Sequence, residues 1–159
     1  MTDTLPEQME PARYRFPIEW GKCREFALAL LDPDPVSPEI GHFEQAFLPM
    51  PPTMLVCAHR YSPEGMPAIL KLARDGYVDR GRVLQGEIEF EFNRPLVAGE
   101  ELIVSEAISD VHEKVTQKAR LRFVVIEASF RTPEGTLVCT TRTTNIERKP
   151  LIDDSVEPL

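Results

Sequence analysis

Three cysteines, three histidines and one tryptophan leave this chain little material for metal or disulfide chemistry. Cys23, Cys57 and Cys139 are far apart, odd in number and never in Cys-x-x-Cys spacing, which argues against a disulfide framework and against a zinc cluster. Each sits among apolar neighbours and reads as a small buried hydrophobe. No histidine pair has His-x-x-x-His spacing, so no metal is expected. Long apolar runs are missing as well. Nothing approaches the roughly eighteen residues of a membrane-spanning helix, so no span is expected. Met1 to Met9 is acidic and lacks a basic-then-apolar leader, and a cytoplasmic address is the default expectation. Positive charge is also scarce. Against 26 Asp and Glu stand 18 Lys and Arg, a formal net charge of -8, which argues against nucleic acid as a partner. A phosphorylated ligand stays open, because two or three local cations suffice for one.

Proline is abundant instead, at 15 residues, and it clusters at Pro33, Pro35, Pro38, Pro49, Pro51 and Pro52. Proline removes amide donors and biases the residue before it towards extended backbone, so 32–52 reads as a stiff, irregular excursion. A functional loop and a long wrapping connection would look alike here. Before it, Cys23, Phe26, Ala27, Leu30 and Leu31 repeat at three and four residues, predicting a helix over Ile18 to Leu31 that Pro33 stops. After it, Thr53 to Ala58 is apolar nearly all round, as a helix buried against the concave face of a sheet would be. Pro67 to Arg74 predicts another helix, with Gly76 where a C-terminus wants a residue free to take positive φ.

From Arg82 the period changes to two. Ile88, Phe90 and Phe92 alternate with Glu87, Glu89 and Glu91, predicting a strand with one buried and one solvated face. Leu102 to Val111, Leu121 to Phe130 and the threonine-rich Leu137 to Ile146 follow as strands, the last two joined by the turn Thr132-Pro133-Glu134-Gly135. Helices followed by an antiparallel meander make an α+β domain. No internal repeat is visible. Its sheet must end in open edges, and joining two such domains edge to edge covers one on each, so a dimer is expected.

One block resembles a known site. Asp32-Pro33-Asp34-Pro35-Val36-Ser37 is similar to the Asp-x-Asn-Pro-aliphatic-His motif of the (R)-specific enoyl-thioester hydratases of the MaoC-like hot-dog family, with Ser37 where the histidine stands. Tyr14-Arg15-Phe16-Pro17, Pro51-Pro52-Thr53-Met54, Gly86-Glu87, Phe90, Asn93-Arg94-Pro95-Leu96, Ala98-Gly99-Glu100 and Phe123-Val124-Val125-Ile126-Glu127 extend the likeness over about residues 14–147. Within that family the chain most resembles the non-catalytic halves of heterodimeric (3R)-hydroxyacyl-ACP dehydratases. The resemblance implies a single hot-dog domain at 14–149, with a flexible N-terminus over 1–13 and an acidic tail over 150–159. It also implies acyl thioesters of coenzyme A or acyl carrier protein as substrates, no separate cofactor, and a second hot-dog subunit as partner, in a hetero- or homodimer.

Hydration of an enoyl thioester needs a base to activate water and donors for the enolate oxygen. In catalytic members, by the same resemblance, a loop histidine and aspartate hold the water. A glycine amide at the head of the buried helix holds the thioester oxygen. Ser37 cannot act as a base near neutral pH, and the glycine aligns with Pro52, which has no N–H. Losing one oxyanion donor typically costs about 10²–10³ in rate. Thr53 offers an amide one residue on, and Thr53 and Met54 are the candidate oxyanion and acyl contacts. Asp32 reads either as a retained catalytic carboxylate or as a residue of the helix-ending turn, and Asp34 as a turn former. His42, five residues past Ser37, is either a replacement base or a surface histidine. His59 reads as a helix-end residue and His112 as exposed. Arg80 and Arg82, ahead of Lys114, Lys118 and Arg120, are the candidate contacts for coenzyme A phosphates; solvated turns and strand ends are the plainer alternative. Trp20 and Phe26 read as core packing rather than as an acyl tunnel.

The expectation is therefore an acyl-thioester-binding subunit working beside a catalytic partner. The rivals are a self-sufficient homodimeric hydratase using Asp32 with His42, a non-enzymatic acyl-CoA-binding protein, and a hot-dog thioesterase.

Overall fold

The computed structural model describes residues 11–31 and 48–151. Its centre is one antiparallel sheet of five strands in the order β1-β3-β4-β5-β2. The strands are β1 (Ala12–Pro17), β2 (Val83–Phe92), β3 (Glu101–Val115), β4 (Ala119–Arg131) and β5 (Leu137–Pro150). Three helical segments accompany them: α1 (Trp20–Ala29), a 3-10 helix (Pro52–Tyr61) and α2 (Ala68–Arg74), with one short 3-10 turn at Arg80–Arg82. The α+β class, the helices and the four expected strands are present, but only β3, β4 and β5 run as a meander, since β2 pairs with β5 at the far edge and not with β3. No helix among the described residues is long and apolar enough to cross a membrane.

Each strand sorts its residues by the period of two. Val124, Ile126, Ala128 and Phe130 of β4 turn inward, as do Leu102 and Val104 of β3. The β4–β5 hairpin closes through Gly135, whose φ of 98° belongs to the left-handed region that glycine enters without strain. Gly76, at φ 83°, ends α2 as its position predicted. β1 was not legible as a strand. Its six residues alternate Arg13 and Arg15 outward with Tyr14 and Phe16 inward, too short a run to separate from a loop bounded by proline.

The segment at 53–58 differs from its expectation. It is a 3-10 helix buried on one side, through Met54, Leu55 and Ala58, while Val56 is 41% exposed. The three-residue repeat eclipses Leu55, Ala58 and Tyr61 on one ridge. That ridge ends with Tyr61 edge-on to Phe16, at 5.5 Å between ring centroids. Two other expectations are corrected. Phe26 packs against the core, but Trp20 at the start of α1 is 36% exposed. Cys23 and Cys139 are buried, but Cys57 is only half-buried.

Candidate functional site

Between the 3-10 helix, α2 and the inner face of the sheet lies a cavity of about 490 Å³. That volume suits a small-molecule site. One wall is Leu55, Val56 and His59 from the 3-10 helix, and a second is Pro67 to Leu70 at the start of α2. The floor is the sheet, through Val83, Gln85 and Ile88 of β2, Ile126, Ala128 and Phe130 of β4, and Thr141, Thr143 and Asn145 of β5. The wall is apolar in the main, and apart from His59 its polar groups fall on the strands.

Those polar groups occupy positions where the alternation calls for apolar residues. Glu106 of β3 shares the inward parity of Leu102 and Val104, and the hydroxyl of Tyr14 donates to its Oε1 at 2.7 Å. Burial, with the charge of Glu106 second, pushes the Tyr14 hydroxyl far above its ordinary range, so it stays a proton donor. Thr141 and Asn145 are buried. Asn145 Nδ2 points to the carbonyl of Thr143 at 3.4 Å, a long contact that spends little of its hydrogen-bonding capacity. His59 reaches the cavity from near the end of the 3-10 helix, where its carbonyl accepts from the Ser62 amide at 3.1 Å.

Further along the same inner face, Arg122 and Glu147 form an ion pair at 2.5 Å, 4% and 1% exposed. Their hydrogen bonds run to the backbone. Arg122 Nη2 donates to the carbonyl of Tyr77 at 2.5 Å, and Glu147 Oε1 accepts from the amide of Asp79 at 2.7 Å. The pair thereby clamps the chain leaving α2 where it turns into Arg80 and Arg82. Both of those arginines are exposed on their short turn. Arg82 Nε lies 3.2 Å from Asp79 Oδ2, and Asp79 Oδ1 accepts from the Gly81 amide. Val83 and Gln85 of the cavity floor follow directly in the chain.

The residues singled out from sequence fall in different places. Asp32, Asp34, Ser37 and His42 lie outside the described residues. Thr53 is exposed at the head of the 3-10 helix, where leading amides have no intrahelical acceptor. The Met54 amide donates to the Pro51 carbonyl at 2.9 Å, and its side chain is buried in the core rather than on the cavity wall. His112 is exposed as read, with Nδ1 2.7 Å from Asp110 Oδ2 and its ring stacked on Phe123. The thiols of Cys23 and Cys139 are each pushed up to about 11, chiefly by burial, so neither is a nucleophile near neutral pH. Sequence reasoning missed Glu106, Thr141, Asn145 and the Arg122–Glu147 pair. The available signal was polar residues on the inward parity of strands otherwise apolar there.

Known proteins resemble this chain in sequence and fold. The family model described as FAS1-like, dehydratase domain region, matches residues 8–141. A UPF0336 protein of Saccharopolyspora erythraea is 31% identical over 130 residues, which is 80% of this chain and 78% of that protein. Among solved structures, the C-terminally truncated HadBC (3R-hydroxyacyl-ACP dehydratase) complex of Mycobacterium tuberculosis aligns with a TM-score of 0.65 and 27% identity, over 91% of this chain and 98% of that one. The ChsH1-ChsH2 complex of the same organism also gives 0.65, with 21% identity over 96% and 90% of the two chains, a likeness of fold. The hot-dog fold implied by the sequence motifs is the fold of this chain.

Proposed function

We propose, on the premise that the chain belongs to the FAS1-like dehydratase family, that it is an acyl-thioester-binding subunit of an (R)-specific enoyl-thioester hydratase or 3-hydroxyacyl dehydratase. The observation that carries this reading is Ser37, a serine where the resembling motif has its base, in a chain that keeps a cavity of about 490 Å³. A serine hydroxyl holds its proton near neutral pH and cannot activate water unaided. The base then comes from a second, catalytic hot-dog subunit, while this chain shapes the acyl pocket. That HadBC, a similar protein, is a dehydratase complex supports the pairing. The ligand is a thioester of coenzyme A or acyl carrier protein, no separate cofactor is needed, and the setting is cytoplasmic. Arg80 and Arg82, on the exposed turn that precedes Val83 of the cavity floor, are the cations offered to the ligand's phosphates.

His59 on the cavity wall favours one second reading, a complete enzyme with its own base. One experiment separates the two. Hydration of a trans-2-enoyl-CoA is followed by loss of enoyl absorbance with the purified chain alone, and acyl-CoA binding is titrated in parallel. Saturable binding without turnover is the expected result. Turnover that Asp32→Ala, His42→Ala or His59→Ala abolishes would overturn the subunit reading.

A further inference from the structure

The edge strand β2 has two unlike faces. Its inner side chains, Ile88, Phe90 and Phe92, are half-buried, and the two phenylalanines stack at 6.3 Å between ring centroids. Its outer side chains are Glu87, Glu89 and Glu91, all exposed, with Glu89 and Glu91 59% and 69% so. One cation, Arg142 of β5, faces this row among the described residues. It is shared three ways: Nη1 lies 3.9 Å from Glu89 and 3.8 Å from Glu91, and Nε donates to Glu127 of β4 at 2.9 Å. The row is therefore strongly negative, and among the described residues no strand lies beside the backbone groups on its far side.

We propose that β2 is a charge-selective docking strand: it accepts the edge strand of another hot-dog subunit that carries Lys or Arg on its outer face, and it disfavours a second copy of this chain. This rests on the pairing proposed above and names the chemistry of the partner.

Register decides which charges meet across such a join. Two hot-dog sheets that continue through their edges join antiparallel about a two-fold axis, and residues directly opposed across an antiparallel join share a face. Keeping Ile88, Phe90 and Phe92 on the concave side of both copies leaves only registers that oppose outer residues to outer residues. Centred on Ile88, the join sets Glu87 against Glu89. Centred on Glu89, it sets Glu89 against itself and Glu87 against Glu91. Centred on Phe90, it sets Glu89 against Glu91. Like charges directly opposite each other destabilise a strand pair, and opposite charges stabilise it. Shifting by one residue does not help, since it would put glutamates against the apolar inner row. A partner with cations in the outer row removes the conflict in every one of these registers. It also engages Glu87, Glu89 and Glu91 while covering the same half-buried phenylalanines.

The test uses the full chain and a charge-reversed version of it, Glu87→Lys/Glu89→Lys/Glu91→Lys, with folding checked by circular dichroism. Mixed at low salt, the two form a one-to-one dimer by native mass spectrometry, and 0.5 M NaCl, roughly a 4 Å screening length, weakens it. The neutral version, Glu87→Gln/Glu89→Gln/Glu91→Gln, self-associates about tenfold more tightly than the parent in sedimentation velocity. Should either variant fail to fold, the unmodified chain decides alone: its self-association strengthens as salt rises. Tight self-dimers of the unmodified chain that salt leaves unchanged would overturn the inference. Acyl-CoA titration of the same samples separates the two claims, since loss of the edge result with binding intact sinks only the docking strand. Absent binding with the edge result intact sinks only the acyl-thioester role.

Discussion

The inner face of the sheet carries two apolar clusters of unlike character. Around the 3-10 helix, Phe16, Leu102, Val104, Phe130 and Cys139 pack with Met54, Leu55 and Ala58 into an apolar core. Beneath α2, a smaller cluster of Ile69, Leu72, Val78, Val124 and Ile126 shares its space with the buried Arg122–Glu147 pair. The cavity lies between them and is lined from both, by Leu55 and Phe130 on one side and Ile69 and Ile126 on the other. The larger cluster holds the fold together through shape and apolar area. The smaller one gives up area to hold a particular backbone, the turn from Tyr77 to Asp79 that leads into Arg80 and Arg82. Apolar packing is indifferent to which backbone groups lie nearby, whereas a guanidinium and a carboxylate without their partners are not.

The sharpest way to separate the two clusters is to damage each and ask what restores it. Phe130→Ala in the larger cluster should lower unfolding free energy by about 3–5 kcal/mol in urea titration, through lost contact and a residual cavity. Arg122→Ala should cost a similar amount, about 3–5 kcal/mol, because it strands the Glu147 carboxylate away from water. The double change Arg122→Met/Glu147→Leu should recover most of that loss, since an apolar pair of similar volume needs no compensation. Recovery of stability without recovery of ligand affinity would show that the pair holds the turn for function. A double variant as unstable as Arg122→Ala would show instead that shape, not charge, is critical there.

A smaller effect belongs to the cavity between the clusters. Tyr14→Phe removes the donor to Glu106 and should cost about 1–2 kcal/mol, towards the lower end of the range for bonds to charged groups, because Glu106 is half-exposed. Its ligand titration should change more than that of Phe92→Leu, which leaves the cavity wall as it is.

The smallest effect lies at the rim, outside both clusters. Hydrogen bonds from Arg94 hold the Glu100 carboxyl below its ordinary value of 4.5, aided by the Val97 amide at 2.9 Å. A carboxyl depressed in the folded state adds stability above its unfolded value, and that stability fades as pH falls through the folded one. Glu100→Gln should cost at most about 1 kcal/mol at pH 7 and less as the pH drops below about 4.5, read from urea titrations at both pH values.

Much of the fold was legible along the chain. The Ile88, Phe90, Phe92 alternation, Gly76 and the Thr132–Gly135 turn are local signals, and each marks what the structure contains there; Pro33 lies outside the described residues. The family was legible too, because its motifs are short and ordered. β1 escaped because six residues beside a proline carry too little period. The helix at 53–58 misled because composition reports how apolar a segment is and not which side a neighbour covers. Ser37, outside the described residues, could be weighed against a motif, whereas Glu106, Thr141 and Asn145 of the cavity had no local pattern of their own.

By itself the sequence determined that strands would alternate, where they would turn, and that the loop motif lacks its histidine, since each depends on residues within a few positions. Tertiary structure alone decided which parity of β3 and β5 faces the cavity, and that Arg122 meets Glu147. It also decided that β2, with its glutamate row, ends at the sheet's edge. Period two defines two faces, but only the order β1-β3-β4-β5-β2 and its register say what each face meets.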